Sequence, residues 1–310
     1  MTSPQVSVGK ESSGNVRQRR IVFLDLLRVF AVLLVVFSHY TDSPRFLGIR
    51  DFYWVSIGGI GVTLAIVLSG MSLEYNHGGQ RYRYAEFIGN RLMRIYPTYW
   101  LSLAAGIILG VAMLPSDPFG VFMTVTAFEV FEAKPWVDLA RLGVNWFVGL
   151  IVTLYFLYPF LSRAVRAHPK STILLALLVS VVSRVLVGRY WAVERPTDWF
   201  PPCRLFEFAL GIWLVNNRKV FGFLTNLRLG WGETIVAYFG NLSYPVYLVH
   251  LTVLGFISLH GAAIGSPQLF LLAFLVGTFV LSNIVFYVES IARKKLRKLS
   301  LSAHAREDVS

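Results

Sequence analysis

Three ionisable side chains, Asp25, Arg28 and His39, sit in the otherwise apolar run IVFLDLLRVFAVLLVVFSHY. A charge in the middle of a membrane-crossing helix costs roughly several kcal/mol, so such residues face a protein interior, a watery cleft or each other. Asp25 and Arg28 are three apart and can pair on one helix face. Arg28 and His39 are eleven apart. That is three turns plus about 20°, so both point the same way with an axial separation of ~16 Å. A neutral imidazole toward the outer end of such a stripe can take the proton of a hydroxyl. The structural alternative is an Asp25–Arg28 pair snorkelling at the inner interface, with His39 at the outer one.

Four further constellations carry polar chemistry. In NRLMRIYPTYW, Arg91 and Arg94 are three apart at a helix start, and two guanidinium forks on one face suit phosphate groups. The alternative is charge anchoring on the inner side, with Tyr96, Tyr99 and Trp100 as an aromatic belt. Asn145 and Trp146 open the run NWFVGLIVTLYFLYP, either as an interfacial anchor or as part of a site. In CRLFEFALG, Arg204 and Glu207 are three apart. Glu207 is either the partner of a local ion pair or a poised acid or base. In NLSYPVYLVH, Tyr247 and His250 share a face, and His250 is a second intramembrane histidine. Ser69 in VLSGM stands beside a glycine with no base near it in sequence. There is no GxSxG, and no histidine pair has zinc spacing such as HExxH, so no metal ligands are expected. The one cysteine, Cys203, excludes an intrachain disulfide.

These residues need membrane helices to hold them. Of 310 residues, 55% are hydrophobic and 15% charged, with a mean hydropathy of +0.59. Soluble domains carry roughly 25% charged residues. Apolar runs of about 20 residues, enough to cross ~30 Å of hydrocarbon, recur along the chain. The fold expected is an all-α, polytopic transmembrane helix bundle. The net charge of +12 falls between the apolar runs and at the termini, where it meets anionic headgroups rather than nucleic acid.

Eight clear spans are expected near 21–40, 54–75, 91–113, 145–166, 171–190, 203–217, 243–260 and 267–291. Residues 118–131 and 231–241 are marginal, so the count is eight to ten. With eight, every basic cluster falls on one side: Arg81 and Arg83; Arg163, Arg166 and Lys170; Arg218, Lys219 and Arg228; and Arg293 to Lys298. Residues 118–131 are then re-entrant. Either count places both termini in the cytoplasm. Residues 1–20 read as a disordered basic arm with no cleavable signal peptide, 21–292 as one integral membrane domain, and 293–310 as a basic cytoplasmic tail.

The ordered series FLDLLRVFAVLLVVFSH, IVLSGM, NRLMRIYP, NWFVGLIVTLYFLYP, RLFEFALG and NLSYPVYLVH resembles the acyltransferase family 3 membrane proteins, the O-acyltransferases of surface polysaccharides. The resemblance runs from about residue 21 to 291. Arg28 and His39 look like its first-helix signature, and Arg91 and Arg94 like its RxxR signature. The resemblance implies transfer of an acyl group, usually acetyl, from cytoplasmic acyl-CoA to a hydroxyl of a glycan or glycolipid at the outer face of the inner membrane. Acyl-CoA is then a co-substrate, and no bound cofactor is implied. It makes His39 a general base or transient acyl carrier, and Arg28, paired with Asp25, a holder of the donor or the reacting centre. Arg91 and Arg94 would hold the CoA phosphates. Ser69, Asn145, Trp146, Glu207, Tyr247 and His250 become acceptor-binding or supporting positions. Two departures stand out. Ile151 and Val152 occupy a stretch where many relatives carry a glutamate, and residues 218–242 are too short and polar for the extra spans common in relatives. A transporter is the reading from another class, but it predicts two similar halves, and none are visible.

Overall fold

The computed structural model describes residues 21–41, 52–131, 145–191, 195–225, 232–261 and 266–307. The arm 1–20 and the end of the tail, 308–310, lie outside the described residues. The elements are helical throughout these segments. They are α1 (Val22–Thr41), α2 (Phe52–His77), α3 (Tyr84–Ile108), α4 (Pro118–Thr126), α5 (Asn145–Ala167), α6 (Pro169–Tyr190), α7 (Pro196–Trp199), α8 (Leu205–Asn216), α9 (Arg218–Thr225), α10 (Gly232–His260) and α11 (Pro267–Glu307).

Among the described residues, six helices are long and apolar enough to cross a membrane: α1, α2, α5, α6, α10 and α11. The other two expected spans are helical but differ in kind. α3 has 25 residues, but its first half carries Glu86, Arg91 and Arg94. α8 has only 12 residues and follows a 3-10 turn at Pro201–Arg204. At 1.5 Å per residue it reaches about 18 Å. The expected marginal segment 231–241 is not a separate unit. It forms the first turns of the 29-residue α10, because Gly232, Glu233 and Asn241 do not interrupt the helix. The basic segment from 293 likewise continues α11 as far as Glu307.

Contacts along the chain fix the helix directions. Gly240 of α10 lies against Asp25 of α1, and His250 lies against His39, so α1 and α10 run parallel. Val111, just past α3, meets Gly255, while Tyr244 bonds to Ile95, so α3 also runs with α10. Ser162 of α5 reaches Glu74 at the far end of α2, and Asn216 of α8 reaches the same carboxylate. Arg204, at the start of α8, reaches Thr63 near the start of α2. α2, α5 and α8 therefore share one direction, opposite to α1, α3 and α10. α6 runs against α8: Trp191, at its end, packs on Trp199 and Phe200 ahead of α8, whereas Ser180, earlier in α6, accepts from Phe206 N within α8. Arg293, late in α11, meets Arg94, early in α3, so α11 runs against α3.

The core lies where α2, α5 and α8 meet. Ile66, Leu150, Leu154, Phe208 and Ile212 are buried completely there. α2 and α8 approach unusually closely because both contribute a glycine. A Cβ at Gly70 would overlap the Phe208 carbonyl oxygen, and one at Gly211 would overlap that of Val67. Small residues at such crossings let backbones pack without a side chain between them.

α4 does not cross. Asp117 caps it, accepting from Gly120 N at 2.7 Å, and it ends at Ala127 in the left-handed region before a 3-10 turn at Phe128–Phe131. Its last carbonyls accept from α3: Thr124 from the Tyr99 hydroxyl at 2.5 Å, Thr126 from the Tyr96 hydroxyl at 2.7 Å and Val125 from Trp100 Nε1 at 2.9 Å. These three aromatics are more than an interfacial belt, because they satisfy a helix end that has no water to turn to.

Candidate active site

Ile21, just before α1, and Asp25, Arg28, Val32 and Val35 of α1 line a cavity of about 850 Å³. These positions repeat at three- and four-residue steps, so they form one face of the helix. His39 is the next position on that face, four residues beyond Val35. Asp25 and Arg28 of the stripe expected from sequence thus line one wall, while His39 is not among the lining residues. α2, α3, α5, α10 and α11 supply the others, through Ser69, Arg91, Tyr155, Tyr244 and Glu289 among further residues.

At one end the cavity is cationic. Arg28 donates from Nη1 to Asp25 Oδ1 at 2.6 Å and from Nη2 to Ser72 Oγ at 2.5 Å. Asp25 is buried, and Gly240 makes room for it, since a Cβ there would come within 2.8 Å of the Asp25 Cβ. Arg91 and Arg94 line the same end, and the Arg91 guanidinium lies 5.7 Å from the Phe87 ring centroid. Arg91 Nε is buried without a hydrogen-bond partner. A fourth guanidinium, Arg293 of α11, joins them. It pairs with Glu289 and donates from Nη2 to the Arg94 carbonyl at 2.8 Å. Sequence reasoning counted Arg293 only as an inner-side charge. Its distance along the chain from Arg94 hid the contact. Pro97 inside α3 removes one backbone N–H from the helix ladder, and the nearby carbonyls of Arg94 and Ile95 both accept side-chain donors.

The middle of the cavity is polar without being charged. Ser69 Oγ and Tyr155 Oη lie 2.9 Å apart, and Thr98, Ser243 and Tyr244 line the same space. Ile151, at the departure from the glutamate of many relatives, also lines it. At the other end, Phe147 and Tyr247 line the wall with ring centroids 4.9 Å apart. One turn beyond Tyr247 on α10 stands His250, completely buried. Its Nε2 is 3.0 Å from His39 Nδ1, and its Nδ1 is 2.6 Å from the Tyr247 carbonyl oxygen.

The remaining expected site residues lie off the cavity wall. Asn145 is 1% exposed, and neither its Oδ1 nor its Nδ2 has a hydrogen-bond partner. Trp146 packs edge-on against Phe147. Glu207 accepts from Arg184 at 2.7 Å and Arg204 at 3.2 Å, while Arg204 also binds Asp198 at 3.1 Å. The local pair read from sequence is therefore part of an ion cluster that braces α6, α7 and α8. A second buried carboxylate, Glu74, was not singled out from sequence. It accepts from Tyr158 at 3.0 Å, Ser162 at 2.6 Å and Asn216 at 3.0 Å, and Arg166 lies 3.6 Å away. No group of three His, Cys, Asp or Glu able to hold a metal occurs among the described residues.

A family model described as an acyltransferase domain matches residues 21–228. The chain belongs to this acyltransferase family. Acyltransferase MdmB of Streptomyces mycarofaciens is 25% identical over 218 residues, a match covering 62% of this chain and 56% of that relative. The matched part is thus little more than half of the relative's length. No solved structure matches. In this acyltransferase chain the first-helix stripe, Arg91, Arg94 and Ser69 fall inside the matched region, whereas Tyr247, His250 and Arg293 fall beyond it, on α10 and α11.

Proposed function

We propose that the chain transfers an acyl group, acetyl by preference, from cytoplasmic acyl-CoA to a hydroxyl of a sugar or glycan at the outer face of the inner membrane. The observation that carries this is the cavity itself. It begins among Arg28, Arg91, Arg94 and Arg293 and extends to Val35 and Tyr247, one turn below the paired histidines. A polyanionic donor suits the first end, because guanidinium forks bind phosphate oxygens bidentately. The ~16 Å rise from Arg28 to His39 is comparable to a pantetheine arm. The thioester would then lie beside the imidazole.

The helix directions support eight crossings. α1, α2, α3, α5, α6, α8, α10 and α11 alternate in direction, which fits an arrangement with both termini on one side. The Arg91 end lies on the side where the basic loops gather, the cytoplasm by the positive-inside rule.

The reaction needs only one proton carrier. The acceptor oxygen bonds to the acyl carbonyl carbon and the carbon–sulfur bond breaks. The hydroxyl proton passes to His39 and from there to the departing thiolate, leaving CoA as the thiol. Arg28, held by Asp25 and Ser72, supplies fixed positive charge along the donor path.

The test is transfer of labelled acetyl from acetyl-CoA in membranes containing the wild type, His39→Ala or Arg91→Ala, with glycan acceptors. Loss of transfer in His39→Ala and a raised donor KM in Arg91→Ala are expected. Full transfer by His39→Ala would overturn the role of that residue. Movement of a glycan across the membrane without acylation would favour a transporter.

A further inference from the structure

We infer that His250 is a positioning residue that fixes the proton of His39 on Nδ1, so that His39 Nε2 is the nitrogen that takes the acceptor's proton. This deepens the acyl-transfer reading and rests on it for its chemical purpose.

The assignment follows from what each atom can donate. His250 Nδ1 lies 2.6 Å from the Tyr247 carbonyl oxygen. A carbonyl can only accept, so Nδ1 carries a hydrogen. His250 is 0% exposed, and a charge there without a counter-charge would be costly, so the ring is neutral. A neutral imidazole has one N–H, which makes His250 Nε2 an acceptor. That atom faces His39 Nδ1 at 3.0 Å. Two lone pairs do not face each other at that distance, so His39 Nδ1 carries the hydrogen and donates it. The lone pair of neutral His39 is then on Nε2.

The helices build this relay for identifiable reasons. Tyr247 and His250 are three apart in α10, so the histidine ring folds back over its own preceding turn to the Tyr247 carbonyl. α1 and α10 run parallel and close, because Gly240 admits Asp25 lower down. His39 is half-buried and lies on the same α1 face as the cavity-lining Arg28 and Val35. Its ring is thus held from the side by a partner that can only accept. When Nε2 takes the acceptor's proton, the imidazolium keeps its Nδ1–H bond to His250 and need not turn before releasing that proton to the thiolate. His250 does here what a carboxylate does in other base–orienter pairs, with no formal charge.

Two measurements test it. The first is 15N nuclear magnetic resonance of labelled histidine in the full chain in lipid nanodiscs, with His39→Gln used to assign the His39 signals. The wild type is expected to show neutral His39 protonated on Nδ1. In His250→Phe, which fills the space but accepts nothing, His39 should shift to mainly Nε2-protonated. In His250→Gln, whose amide oxygen can accept from Nδ1–H, it should stay on Nδ1. The second measurement is kinetic. His250→Phe should lower kcat by about 10²–10³-fold, the scale of a general base's contribution. Donor KM should stay within about threefold, and His250→Gln should recover at least about tenfold of the lost kcat. An unchanged His39 tautomer in His250→Phe overturns the inference, as does equal loss of kcat in both variants. The resonance experiment needs no turnover. A wild type that transfers no acyl group therefore overturns the acyl-transfer reading, and the tautomer still decides the inference.

Discussion

Arg293 Nη2 donates to the main-chain carbonyl of Arg94 at 2.8 Å, joining the basic end of α11 to the helix that carries Arg91 and Arg94. The contact brings a guanidinium from outside the matched acyltransferase region to the mouth of the cavity.

Arg293→Ala should raise the KM for acetyl-CoA by about three- to tenfold, with kcat little changed. A hydrogen bond to a charged group is worth about 1.5–3 kcal/mol, and the partial exposure of Arg293 discounts that. Arg293→Lys keeps the charge but not the fork, and should fall between. Steady-state kinetics with varied donor checks this; an unchanged donor KM in Arg293→Ala would refute it.

Glu74→Ala should destabilise the fold by about 1–3 kcal/mol, because it removes the acceptor of the buried Ser162 hydroxyl, one of the two acceptors of Tyr158 and of Asn216, and the counter-charge of Arg166. Glu74→Gln retains an accepting oxygen and should lose less. Thermal unfolding in detergent, followed by circular dichroism, reports both. Equal midpoints for wild type and Glu74→Ala would show that the cluster contributes nothing.

Gly211→Val should be worse tolerated than the same change at Gly188, where an added Cβ meets nothing within 4 Å. At Gly211 the side chain collides with the Val67 backbone and must push α8 off α2, at a cost of about 1–3 kcal/mol or more. Comparing the yield of monodisperse protein from the two variants separates a specific crossing from a general intolerance of β-branching.

Lys170→Cys, made in a Cys203→Ser background, should react with a membrane-impermeant maleimide only after the cytoplasmic side is opened. Lys170 is exposed at the start of α6, and with the single native cysteine replaced the introduced thiol is the one that reacts. Labelling in intact cells would invert the orientation from this point of the chain.

Much of the site was legible because α1 is a single helix with a strict repeat. Asp25 and Arg28 interrupt an apolar run at a spacing that only one helix face satisfies, and the cavity lies on that face. His39 and His250 could each be singled out as polar groups in apolar helices. Their pairing could not, because 211 residues separate them and no periodicity relates α1 to α10. Glu74 escaped notice for the same reason, since its partners come from α5 and α8. Element bounds differ from those expected where local composition misleads. Gly232, Glu233 and Asn241 resemble a loop but ride on a long helix, whereas the apolar run at 203–217 forms a helix of only 12 residues. An apolar run does not reveal where a 3-10 turn will take over its first residues.

The three donors that α3 offers to the end of α4 also bear on leakage. An enzyme open to donor on one side of a membrane and to acceptor on the other must not let protons or ions through between reactions. The turn after α4 is wedged against Gly149 of α5 at buried Ala127 and Val130, and Tyr96, Tyr99 and Trp100 latch α4 in place. Withdrawing that wedge would strand the Val125 and Thr126 carbonyls at about 1–3 kcal/mol each, while Thr124 keeps the Ala127 N–H. α3 and α4 are therefore expected to shift as one block, so a passage for the proposed acceptor would open on another flank of the bundle.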